Sequence, residues 1–203
     1  MNLVNSSIVF VLAEGTGARD FLVQQYKSNG IIPKEFSPLN DFAGSKIEIL
    51  PIIELQGGYN LQFIQNKVIL QINYNKPIDL NKDEMEDKLE EISKNFYVSL
   101  GILPVVQLGI NFKVLKVDSS LEQYKISNEL QLTQIKVEKY VEPFTAKVDF
   151  IQTNAIDNQE KVGLLISANF HKVINDVENL NDMLSHRNNC LNKFKDIIRD
   201  VTN

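Results

Sequence analysis

Two periods of hydrophobic alternation run along this chain. Between Val68 and Asn75 the period is two: Val68, Leu70, Ile72 and Tyr74 alternate with Ile69, Gln71, Asn73 and Asn75. That is the pattern of a strand with one face buried. From Val177 onward the steps are three and four. Val177, Leu180, Leu184, Arg187, Leu191, Phe194, Ile198 and Val201 fall on one face of a helix. Beta-branched residues at Val4, Ile8, Val9 and Val11 mark a first strand over 3–13.

The segments between these are read the same way. Residues 18–28 suit a short helix ended by Asn29-Gly30, and 31–45 a loop with two prolines. A strand over 46–55 carries Pro51, which donates no ladder hydrogen bond and places the strand at an edge or a bulge. Gly57-Gly58 signals a hairpin, followed by strands over 60–65 and 68–75. Asn81 with Glu84 forms a capping-box pattern that opens a helix, whose buried stripe is Met85, Leu89, Ile92, Phe96 and Leu100. A strand over 105–117 and a short helix over 118–124 come next. Strands near 129–140, 145–152 and 162–172 follow, the last two joined by a loop over 153–158. The closing helix spans 176–201, with Asn175 and Glu178 repeating the capping pattern.

Strands met in runs, with few helices between, predict an α+β fold: a mostly antiparallel sheet with two long helices packed on it. The order of elements repeats as β-α-β-β-β-α twice, giving one continuous unit, 1–203, made of similar halves 1–101 and 102–203. Gln25-Tyr26-Lys27 recurs as Gln123-Tyr124-Lys125, and Asn81…Glu84 as Asn175…Glu178. The alternative is an unduplicated antiparallel sheet whose helices follow ordinary hairpins.

Two halves of this order resemble the TATA-binding-protein-like architecture, a curved antiparallel sheet with its long helices on the convex side. The fold hosts unrelated functions, so the resemblance implies no DNA binding. The segment Pro104-Val105-Val106-Gln107-Leu108-Gly109-Ile110-Asn111-Phe112 resembles the central strand of a sporadically distributed, uncharacterised prokaryotic protein family. Gly109, Ile110 and Phe112 fit its Gly-Leu-Arg-Tyr-like signature, and Asn111 stands where that family has Arg. This resemblance implies relatives and no reaction.

Composition narrows the function classes. With 43% hydrophobic and 23% charged residues the chain can bury a core. A net charge of −5 and the lack of a basic run disfavour a polyanion-binding surface. The apolar run Ile8–Ala13 has no Lys or Arg before it, so it reads as a strand and not as a targeting segment. The stretch from Val98 to Ile110 is too short to span a bilayer. One cysteine, Cys190, forms no internal disulfide and points to a reducing, cytoplasmic setting.

Candidate chemistry is sparse. Gly15-Thr16-Gly17 has Asp20 where a dinucleotide loop wants a third Gly, and reads as a plain turn. His186 and Cys190 share a helix face, and a zinc site there would have to recruit His171 with Asp176 or Asp182. The plainer reading is a buried thiol beside a surface imidazole, so no metal and no cofactor are expected. No Gly-x-Ser-x-Gly elbow exists, and the carboxylates over 83–91 read as a solvated helix face. The expected function is a non-catalytic, cytoplasmic protein-interaction or regulatory protein that self-associates, with no membrane or nucleic-acid partner. Its rivals are a helix-grip-like domain enclosing a small ligand and an enzyme using carboxylates. The candidate interaction face is Leu180, Leu184, Arg187, Leu191, Phe194 and Ile198. Either this stripe packs across the sheet within one chain, or it forms a helix–helix seam with Arg187 as its polar register element.

Overall fold

A computed structural model describes residues 1–13, 24, 52–55, 57–64, 66–80, 87–100, 104–117, 134–153, 163–175 and 180–202. The strands are β1 (Asn2–Leu12), β2 (Ile53–Glu54), β3 (Tyr59–Ile64), β4 (Lys67–Asp79), β5 (Val105–Val117), β6 (Gln134–Val141), β7 (Phe144–Thr153) and β8 (Gly163–Val173). The helices are α1 (Leu89–Leu100), α2 (Leu180–Ser185) and α3 (Arg187–Thr202). The strands form one sheet in the order β2-β3-β4-β1-β5-β8-β7-β6. Every pairing is antiparallel. The α+β class and the antiparallel sheet are as the alternation predicts.

Alternation decides which face is covered. Ile8, Phe10 and Leu12 of β1 share a side with Leu108, Ile110, Phe112 and Val114 of β5, because Ile8 pairs with Ile110 and Phe10 with Leu108. Leu164, Ile166, Ala168 and Phe170 of β8 and Phe144, Ala146, Val148 and Phe150 of β7 continue that side outward, all buried. The helices lie on it. Phe96 of α1 meets Phe10 at 5.8 Å between ring centroids, and Phe194 of α3 meets Phe112 at 6.0 Å. A phenylalanine pair thus joins β1 to α1, and another joins β5 to α3. Such pairs contribute about 0.5–1.5 kcal/mol beyond the area they bury.

Several boundaries differ from the sequence reading. The helix expected to open at Asn81 begins at Leu89: residues 81–86 lie outside the described residues, and Asp87 and Lys88 are not helical. Asp87 acts as the cap, its Oδ1 accepting the Leu89 amide at 2.9 Å. β4 runs on through Pro77 to Asp79, because its pairing with β1 shifts register between Leu3 and Asn5 and a bulge there needs no ladder hydrogen bond from proline. The closing helix is broken at His186 into α2 and α3. The Gly57-Gly58 turn joins β2 to β3 with φ of 82° and 80°, the left-handed region where glycine carries no steric cost. The short helix over 18–28 is described only at Gln24, which is helical, and the one over 118–124 lies outside the described residues, as does Gly15-Thr16-Gly17.

Candidate functional site

Among the described residues, polar side chains gather in a buried cluster under the helices, on the open face of the sheet, and at its β6 edge.

The buried cluster centres on Arg187. Its Nη1 donates to Asp87 Oδ1 at 2.9 Å, and its Nη2 to Asp87 Oδ2 at 3.0 Å and to Ser6 Oγ at 2.9 Å. The guanidinium lies 5.9 Å from the centroid of the Phe112 ring. The Tyr74 hydroxyl donates to Asp87 Oδ2 at 2.8 Å, and burial, followed by the charge of Asp87, holds that phenol well above its usual range. Both partners of the ion pair are almost wholly buried, at 2% and 4% exposure. A bidentate pair inside the protein needs this fork geometry to offset the cost of desolvating two charges. The carboxylate already accepts from Arg187, Tyr74 and the Leu89 amide. A group so filled and so enclosed ties α3 to the segment before α1 and is closed to a substrate.

The candidate interaction face of the closing helix is taken up inside the same chain. Leu180, Leu184, Arg187, Leu191, Phe194 and Ile198 are all buried. Arg187, one reading of which made it the register element of a seam between chains, finds its carboxylate in Asp87 of its own chain. Phe10, Phe96, Phe112, Phe170 and Phe194 are buried together, with ring contacts between sheet and helices.

His186 and Cys190 stand one turn apart, where the Cys190 amide donates to the His186 carbonyl. The His186 ring meets the edge of Phe144. Cys190 is fully buried, and burial pushes its thiol up to about 12. His171 is on the other side of the sheet, since its neighbour Phe170 points into the core. The structure therefore does not bring His171, His186 and Cys190 together. Among the described residues, no group of three or more His, Cys, Asp or Glu side chains is arranged to hold a metal ion. The described carboxylates are dispersed: Glu90 pairs with Lys94, Glu138 with Lys147, and Asp196 with Lys193 and Arg199.

On the open face, the central strands present amides and hydroxyls. Asn5 Nδ2 donates to Asn73 Oδ1 at 2.7 Å, and Asn111 Nδ2 to Ser7 Oγ at 3.1 Å. A shallow depression of about 340 Å³ lies over Asn5, Asn111, Lys113, Lys147, Ser167 and Asn169. Alternation alone could have located this face, because each of these residues is out of phase with the apolar positions of its own strand. No chemical motif marks it, since Asn and Ser carry no catalytic spacing.

At the outer end of the sheet, β6 pairs with β7 alone among the described residues. Its Lys136, Glu138, Lys139 and Tyr140 are exposed, Tyr140 by 68%.

The fold and these surfaces define a class: an antiparallel sheet with helices on one face and, among the described residues, none on the other. Comparison with protein families, with curated proteins and with solved structures returns no match. No helix among the described residues is long and apolar enough to cross a membrane.

Proposed function

We propose that this chain is a non-catalytic, cytoplasmic interaction protein that holds a protein partner on the open face of its sheet and also associates with itself. The observation that carries the reading is the depression over Asn5, Asn111, Ser167 and Asn169, flanked by Lys113 and Lys147. Side-chain amides both donate and accept, which suits the peptide groups and polar rim of another protein. Asp149 and Ser167, opposed across β7 and β8, also line the depression and add an acceptor and a hydroxyl to this polar surface. The net charge of −5 weighs against nucleic acid as the partner. The test is affinity capture with the full chain, followed by titration of the purified captured protein. Asn169→Arg and Lys147→Glu should each weaken binding by about tenfold, in keeping with loss of central interface contacts. Undiminished binding by both variants would sink the docking face.

We also read the halves as copies of one duplicated unit, in keeping with the resemblance to the TATA-binding-protein-like architecture. Two features support this. Counted outward from the centre, the strand order is first, fourth, third, second in each half. Ile8-Val9-Phe10 and Ile110-Asn111-Phe112 take matching places, and each phenylalanine meets a helix phenylalanine, Phe96 or Phe194. An experimental structure in which β1, β4 and α1 fail to superpose together on β5, β8 and α3 would remove the idea.

A further inference from the structure

We infer that the β6 edge is a self-recognition surface: two copies of this chain join their β6 strands antiparallel, centred on Val137, into one continuous sheet. The inference rests on the proposed self-association and names its surface. An unpaired strand edge carries a row of free amides and carbonyls that accepts another strand. β6 is suited to this. It has eight residues, contains no proline, and pairs with β7 without a register shift. Among the described residues, the strand at the other end of the sheet is β2, which has two residues.

Charge fixes the register. On the open face Lys136 lies across from Asp149, and Glu138 across from Lys147, with Lys147 Nζ at 3.9 Å from Glu138 Oε2. When two β6 strands meet about Val137, Lys136 of each copy faces Glu138 of the other. The row crossing four strands then reads Asp149, Lys136, Glu138, Lys147, alternating in sign throughout, and the two-fold axis generates it twice. Moving the centre by one residue to Lys136 or Glu138 sets that residue against its own copy, and like charges directly opposed are destabilising. The helix side agrees. In the Val137 register Ile135 of one copy lies opposite Lys139 of the other, beside a groove of about 340 Å³ between β6 and α3 lined by Lys139, Val141 and Ile197. Ile135 is only partly buried within its own chain and has surface left to cover there.

The experiment is sedimentation equilibrium on the full chain and on Lys136→Glu and Glu138→Lys, with circular dichroism to confirm that each variant is folded. Wild type should be a dimer. Each variant alone opposes like charges twice across the seam, so its dimerisation should weaken by about tenfold. An equimolar mixture of the two variants should recover the affinity as a heterodimer, because the opposed charges are again of opposite sign. A wild-type monomer overturns the edge and the proposed self-association together. A dimer that ignores both substitutions, or a mixture that does not recover, overturns the edge and leaves self-association to another surface. Neither result touches the open-face titration, which is read from a different protein.

Discussion

Asp87 and Arg187 show how one pair of residues ties distant parts of the chain. Each is enclosed, and each would be an unpaired charge without the other. Asp87→Ala should therefore destabilise the fold by about 3–5 kcal/mol, measured by urea denaturation. The double replacement Asp87→Leu with Arg187→Met should recover most of that loss, because an apolar pair carries no desolvation cost. A double variant as unstable as the single one would mean that the pair does more than neutralise itself. The residue scale was the least legible in the sequence. Arg187 stood in the apolar stripe and was marked as special, but its partner lies 100 positions away. Asp87 sits in the acidic run over 83–91 that reads as a solvated helix face, and nothing local distinguishes it from Glu86 or Glu90.

Cys190 carries a second expectation at this scale. Its thiol keeps its proton up to about pH 12 in the folded chain, against a usual value of 9.0. Between those values the unfolded state binds fewer protons, so stability falls as pH rises through that window and is fully present below it. Tyr74, also raised by burial, acts in the same sense above pH 10. Denaturation midpoints should fall from pH 8 to pH 11, and less steeply for Cys190→Ala. The native thiol should react with a disulfide reagent only as fast as the protein opens, since a buried neutral thiol is a poor nucleophile. Rapid labelling of the native protein would contradict its placement in the core.

At the scale of elements, the long helices are held by what they set on the sheet. Phe194 is fully buried, stacked near Phe112, and flanked by Leu191 and Ile198 on the same side of α3. Truncation by Phe194→Ala should cost about 3–5 kcal/mol in a denaturation experiment, the range for an aromatic removed from a core. A loss below 1 kcal/mol would show that the α3–sheet contact is loose. Elements were largely readable, for a physical reason. A strand or helix with one buried face imposes its period on the chain, so β1, β5 and the closing helix were located within a few residues. What failed was where local and tertiary demands diverge. Asn81…Glu84 reads as a helix start but lies outside the described residues; the described helix begins at Leu89, just after Asp87, whose carboxylate pairs with Arg187. The strand read over 68–75 runs on to Asp79, passing Pro77 where its pairing with β1 shifts register. Sequence periodicity records which side is buried and not which distant group a side chain must reach.

For the whole molecule, the consequence lies in what is left uncovered. The stripe from Leu180 to Ile198 was the most visible candidate for contact between chains, and it is spent on the chain's own sheet. Among the described residues, the surfaces that remain include the open face with its amides and the charged β6 edge. Neither has a motif, because recognition by backbone pairing and by side-chain amides needs no fixed spacing of rare residues. Only after strand order is known does Lys136-Val137-Glu138 read as a self-complementary edge, since the same tripeptide in a central strand would mean nothing of the kind. Self-association by the proposed edge should be salt-sensitive, as its register depends on exposed charges. Raising the ionic strength should weaken it, measured by the shift in sedimentation equilibrium, whereas a seam of apolar helices would tighten or stay unchanged.

The most direct measurement is amide hydrogen exchange on the intact chain over a range of protein concentrations. The account predicts that amides in 134–141 become more protected as concentration rises, while those in 187–202, already docked on the sheet of their own chain, do not change. Concentration-dependent protection of 187–202 with none in 134–141 would contradict it, and would return the closing helix to the role of the contact surface.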